Sequence, residues 1–88
     1  MSRDRLDPAQ IEAAHKHSIF HRKEVEASET FGCFYCRRSG PVTEISEWTD
    51  DGDTALCPKC GIDSVIGSAS GFPVTNGLLL GAMKRRWF

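Results

Sequence analysis

Chemistry in this chain starts with its cysteines. Cys33 and Cys36 stand in "GCFYCRRSG", Cys57 and Cys60 in "LCPKCG", and every cysteine of the chain belongs to one of these two C-x2-C pairs. Twenty residues separate Cys36 from Cys57, a spacing that matches four-cysteine zinc sites. Four cysteines also permit three disulfide pairings, and C-x2-C is a redox motif when a thioredoxin-like βαβ unit carries it. Neither pair has that context. Each is followed by a glycine or a basic run, which suits a tight turn whose backbone amides point at thiolate sulfur. Arg37, Arg38 and Lys59 would help to offset the double negative charge of a tetrathiolate zinc centre. The expectation is one structural Zn2+ held by Cys33, Cys36, Cys57 and Cys60. A site closed by four thiolates has no open coordination position with which to activate water.

The histidines are the second set with chemical capacity. His17 and His21 are four residues apart, so a helix would place them on one face, a spacing used when two imidazoles share a metal. His15 would fall on another face. A third ligand would have to come from elsewhere, such as Glu24 or Asp63, and the H-E-x-x-H motif is missing. The preferred reading is that both histidines pack against the zinc module or face water. Ser64 beside Asp63 reads as a helix cap in preference to a nucleophile.

A third set is basic and aromatic. Arg37 and Arg38 adjoin the first pair, Lys59 lies in the second, and Lys84, Arg85 and Arg86 precede Trp87. With Phe34 and Tyr35 they form a candidate partner-binding patch able to stack on bases or contact phosphate. The net charge is −1, and the stretch from Glu44 to Asp53 carries acids without a base, so that part would repel phosphate. One acidic and one basic side suit a protein partner at least as well.

These groups must be positioned by a chain of 88 residues, 40% of them hydrophobic, too short to bury a large core without a cross-link. The expected organisation is one zinc-binding domain over 1–88: a helical segment at 1–30, a zinc core at 31–70 and a C-terminal helix at 71–88. In "VTEISEWTDDGDTALC", Val42, Ile45 and Trp48 supply a strand, "DDGD" a turn and "TAL" the return strand. "GIDSVIGSASG" would begin a short helix. A knuckle, a hairpin and a helix starting at the second pair is the treble-clef order; a zinc ribbon, with the second pair on another hairpin, is the alternative. In the N-terminal flank Asp7 reads as N-cap and Pro8 as first helical residue. Ile11, Ala14, Ser18 and Val25 share a face from which Phe20 points away, so a kink or restart is expected near Ser18. Leu79, Met83 and Trp87 make one stripe of the C-terminal helix, weakened by Gly77 and Gly81. No apolar run can span a membrane, and "MSRDRLDPAQ" lacks a secretory h-region, which points to the reducing cytoplasm.

The runs "HSIFHRKEVEAS", "GCFYC", "TALCPKCGIDSVIG" and "MKRRWF" resemble a group of short, uncharacterised bacterial cytoplasmic proteins, from about His17 to Phe88. That resemblance implies a zinc-stabilised cytoplasmic domain and brings no activity with it. A weaker one, carried by "EWTDDGDTALCPKCG", is to the HNH nucleases, which build a catalytic site on a treble clef. The catalytic histidine that family implies on the first strand is missing here; Glu47 and Trp48 stand there instead, with Asp63 after the second pair to help hold a cation. The sequence is therefore read as a small α+β zinc-stabilised module without catalytic activity, recognising a protein or nucleic acid. The alternative is a metal-dependent nuclease or hydrolase using His17 and His21, or Asp63.

Overall fold

The computed structural model describes residues 8–88. Helix α1, Pro8–His15, starts on a proline, whose fixed φ and missing N–H suit a first helical turn; the cap expected from Asp7 lies outside the described residues. The helix tightens into a 3-10 turn at Lys16–Ser18, where the Ser18 hydroxyl donates to the His15 carbonyl at 2.6 Å. The chain then extends through Ile19 and turns at Phe20, whose φ is 49°. It restarts as α2, Arg22–Glu26. The break expected near Ser18 is thus present, with Phe20 69% exposed. Two long-range bonds hold it: Phe20 N–H donates to Thr54 Oγ1 at 2.9 Å and His21 N–H to the Asp53 carbonyl at 2.8 Å.

Strand β1, Thr30–Cys33, is the centre of a three-stranded antiparallel sheet. On one side lies β2, Ser39–Pro41, with Phe31 opposite Gly40. On the other lies β5, Val65–Gly67, with Gly32 opposite Ile66 and Cys33 opposite Val65. Between them the chain makes a two-stranded hairpin of β3, Trp48–Thr49, and β4, Thr54–Ala55. Its turn follows the "DDGD" expectation, with Asp50, Asp51 and Gly52 all at positive φ. The first strand is shorter than the sequence suggested. Val42–Glu44 is a 3-10 turn, closed by Ile45 N–H donating to the Val42 carbonyl at 3.0 Å.

The helix expected to start at the second cysteine pair, the hallmark of a treble clef, is not formed. Gly61, at φ 80°, turns the chain out of the pair, and Val65 and Ile66 continue as strand β5. Tertiary pairing explains the difference. β1 has β2 on one edge only, and an extended Val65–Gly67 supplies partners for the other while burying both β-branched side chains completely.

Successive side chains of the sheet point to opposite faces, so each face has its own core. Phe31, Cys33 and Val65 pack with Val25, Ala55 and Cys57, flanked by Val42, Ile45 and Trp48. On the other face Phe34 and Ile66 pack with Ala14, Val74, Leu79, Leu80 and Met83. Gly32 shows how closely the second layer approaches, since a Cβ there would lie 1.9 Å from the Val74 carbonyl oxygen. The last helix, α3, Gly77–Trp87, is capped by Asn76, whose side-chain oxygen accepts the Leu78 N–H at 2.8 Å. Its expected stripe faces inward: Leu79 and Met83 are buried and Trp87 is half-buried. No helix among the described residues is long and apolar enough to cross a membrane.

Candidate metal centre

The two cysteine pairs sit on turns that repeat the same backbone design. In the first, Cys33 N–H donates to the Arg38 carbonyl at 2.8 Å; in the second, Cys57 N–H donates to the Ile62 carbonyl at 3.0 Å, five residues on in both cases. The residue after each second cysteine is left-handed, Arg37 at φ 63° and Gly61 at φ 80°. Glycine takes that conformation freely, whereas a non-glycine residue pays roughly 1–2 kcal/mol. Inside each turn an amide points at sulfur: Cys36 N–H at Cys33 Sγ, 3.5 Å, and Lys59 N–H at Cys57 Sγ, 3.3 Å.

The sheet brings the turns face to face. All four sulfurs lie within 4.8 Å of one another, with Cys33 Sγ 3.7 Å from Cys60 Sγ and Cys36 Sγ 3.8 Å from Cys57 Sγ. A disulfide needs about 2.0 Å, so these are four free thiols. Sulfurs at about 2.3 Å from a tetrahedral zinc are separated by about 3.8 Å, and the two cross-turn distances match that edge. The donor set is thus placed to coordinate one metal ion. Cys33 and Cys57 are buried in the core with Phe31, Val65, Val25 and Ala55, and Cys36 and Cys60 are half-buried against it.

Two of the thiols, Cys60 and Cys36, are held above the usual thiol range. Burial pushes the Cys60 thiol up to about 12, with the neighbouring Cys33 sulfur adding to the rise. Burial and Cys33 likewise raise Cys36 despite the Arg38 amide. Cys33 is the exception. Burial acts to raise it, but the Ser64 hydroxyl and the amides of Cys36 and Tyr35 together outweigh that and bring it below the usual thiol range. A divalent ion would favour thiolate at every position.

Ser64 is a site residue that sequence reasoning placed wrongly. It caps no helix. It is fully buried, its hydroxyl lies 3.0 Å from Cys33 Sγ, and its carbonyl accepts the Phe34 N–H at 3.0 Å. Nothing in the spacing marks it, because the contact exists only once β5 pairs with β1. Two of the three basic side chains expected to balance the sulfurs, Lys59 and Arg37, have other partners. Lys59 Nζ pairs with Glu44 at 3.3 Å, and the Arg37 guanidinium reaches the Gly77 carbonyl at 3.5 Å. The compensation visible here is by backbone amides and Ser64.

His17 and His21 do not share a ligand site. His17 Nδ1 pairs with Glu24 at 2.8 Å. His21 is buried, with Nδ1 donating to the His17 carbonyl and Nε2 accepting the Ala55 N–H at 3.0 Å. Both ring nitrogens are used, which defines the neutral Nδ1–H tautomer. Asp63 and Glu47 are exposed, and among the described residues only the four cysteines form a group of three or more metal-ligating side chains.

The basic and aromatic residues are drawn together in part. Helix α3 lies beside the first turn, where Phe88 meets Tyr35 edge to face at 4.8 Å and Lys84 Nζ sits 5.3 Å from the Tyr35 ring centre. Arg37 lies along the same helix, close enough that a Cβ at Gly81 would be 3.0 Å from its Nη2. Arg85 and Arg86 instead flank a groove of about 430 Å³ with Pro8, Ile11 and Ala82. Arg86 also reaches Glu12 at 3.8 Å. Trp87 uses one ring face inside the fold, stacked on His15 at 3.9 Å.

No family model, no curated protein and no solved structure matches this chain. What fold and site define is a small α+β protein with antiparallel sheets and a four-cysteine cluster placed to hold one metal ion.

Proposed function

We propose that the chain is a zinc-binding structural and interaction module of ribbon type, acting in the reducing cytoplasm and recognising a partner without catalysis of its own. The observation that carries this reading is the pair of cross-turn sulfur distances, 3.7 and 3.8 Å, in a cluster of four thiols with no disulfide. Two similar turns, one from the β1–β2 hairpin and one leading into β5, are the arrangement expected of a ribbon. Zinc fits the donor set better than hard cations, since four soft thiolates favour it and calcium or magnesium take oxygen. Four protein ligands fill a tetrahedral shell, so the ion would serve to fasten the sheet. Membership of the short bacterial cytoplasmic group belongs to the same proposal and rests on the sequence runs alone. The nuclease alternative draws no support from a His17–His21 pair, since both His21 nitrogens are engaged, with the His17 carbonyl and the Ala55 amide, and His17 Nδ1 is paired with Glu24.

Elemental analysis of protein purified under reducing conditions with zinc available tests the reading. One zinc per chain is expected, lost together with the fold on strong chelation. Metal-free, folded protein, or turnover dependent on a second divalent ion, would overturn it.

A further inference from the structure

Around the first cysteine turn the fold leaves aromatic surface in solvent beside cations that have no carboxylate partner. Tyr35 is 39% exposed and Phe88 60% exposed, and their rings meet at 4.8 Å. Tyr35 lies between Cys33 and Cys36, so the metal-closed turn fixes its backbone. Arg22, Lys59 and Arg86 each pair with a carboxylate. Among the described residues Arg37, Arg38 and Lys84 have no such partner. Lys84 stands over the Tyr35 ring, and Arg37 is held on α3 next to Gly77 and Gly81.

We infer that Tyr35 and Phe88, with Lys84, Arg37 and Arg38, form a binding site for single-stranded nucleic acid; this deepens the reading of the chain as a zinc module and rests on it. The two kinds of group do what such a ligand requires. An exposed ring offers its face to an unpaired base of any identity, and a base laid there carries its phosphate to within side-chain reach of the neighbouring ammonium and guanidinium groups. Duplex DNA keeps its bases stacked inside and offers the rings nothing comparable. An acidic protein would use the cations but would leave the aromatic pair without a specific role. The acidic turn at Asp50–Asp53 contacts the α2 side, through His21 and Arg22, and α3 carries no acid. Lys84, Arg37 and Arg38 thus supply the platform with cations, although the chain as a whole is slightly negative.

The test titrates the full-length, metal-loaded chain into a labelled oligouridylate and into a duplex of equal length, at low and physiological salt, with metal content measured for every variant. Binding to the single strand is expected to exceed binding to duplex. About three phosphate contacts give a log–log salt slope near −2. Tyr35→Ala and Phe88→Ala should each weaken binding about tenfold or more, while Tyr35→Phe keeps it. Absence of binding at low salt by zinc-loaded protein would overturn this inference alone. So would duplex preference, or affinity indifferent to both ring deletions. Displacement of the oligonucleotide by polyglutamate at matched charge would reassign the surface to an acidic protein. A chain isolated without metal would overturn this inference and the zinc module together.

Discussion

His21 Nε2 accepts the backbone N–H of Ala55 at 3.0 Å, across 34 positions of sequence. Its other nitrogen donates to the His17 carbonyl. One imidazole therefore ties the end of the first helical segment to the β3–β4 hairpin, and satisfies a buried amide that strand β4 leaves without a ladder partner. His21→Ala would orphan that amide and open a cavity beside Val25. The expected loss is roughly 2–4 kcal/mol, read from the shift in denaturant midpoint at unchanged slope.

The same geometry sets a pH response. Burial holds the His21 pKa below its ordinary 6.5, outweighing the rise caused by the His17 carbonyl and by Glu24, while His17 itself adds a small lowering. Asp50 and Asp53 belong to the hairpin that faces it, with Asp50 engaged by the Thr54 hydroxyl at 2.8 Å. Burial lowers His15 as well. For a histidine depressed in the fold, the unfolded chain binds the proton first. Stability is full above the unfolded value near 6.5 and declines as pH falls from there towards the folded pKa. Thermal midpoints measured across that range should fall with acid, and His21→Ala should flatten part of the decline.

Gly32→Ala is expected to cost roughly 3 kcal/mol or more, since its methyl would sit 1.9 Å from the Val74 carbonyl oxygen and force β1 away from the segment leading into α3. Gly77→Ala is the contrast. Nothing lies within 4 Å of a Cβ at that position, so the substitution should be neutral or stabilising by up to about 1 kcal/mol through helix propensity. Chemical denaturation of the two variants side by side distinguishes packing from any general sensitivity to added methyls.

Ser64→Ala should keep one metal per chain but weaken its hold by about 10–100-fold, because the hydroxyl 3.0 Å from Cys33 Sγ orients and stabilises that sulfur. Competition with a chromophoric chelator reads the affinity directly. Unchanged affinity would reduce Ser64 to a packing residue.

Cys60→Ser, or full chelation of the wild-type chain, should open β1, β2 and β5 together. Structural zinc supplies apparent free energies of about 10–16 kcal/mol in small finger peptides, as much as the stability of a whole small domain. Cys33 lies on β1, and its sulfur approaches that of Cys60 in the other turn. Hydrogen exchange over residues 30–41 and 65–67 reports the loss.

The grouping of the four cysteines and the terminal helices were legible in the sequence, because each is specified locally: sulfur spacing within four residues, a proline at a helix start, apolar residues at i, i+4 and i+8. The restart near Ser18 was legible for the same reason, through the conflict between Phe20 and the apolar face. The segment after the second pair was not. "GIDSVIG" can serve as helix or strand, and the open edge of β1, remote in sequence, decides for strand in place of the expected helix. Ser64 follows from that choice, since only a paired β5 brings its hydroxyl to Cys33. His17 and His21 show the same division: their spacing puts them near each other, but the carbonyl and amide that occupy both nitrogens of His21, and the carboxylate on Nδ1 of His17, come from the packed structure. Local propensity and ligand chemistry are written within a few residues, whereas edge pairing and the use of buried polar groups depend on partners tens of residues away.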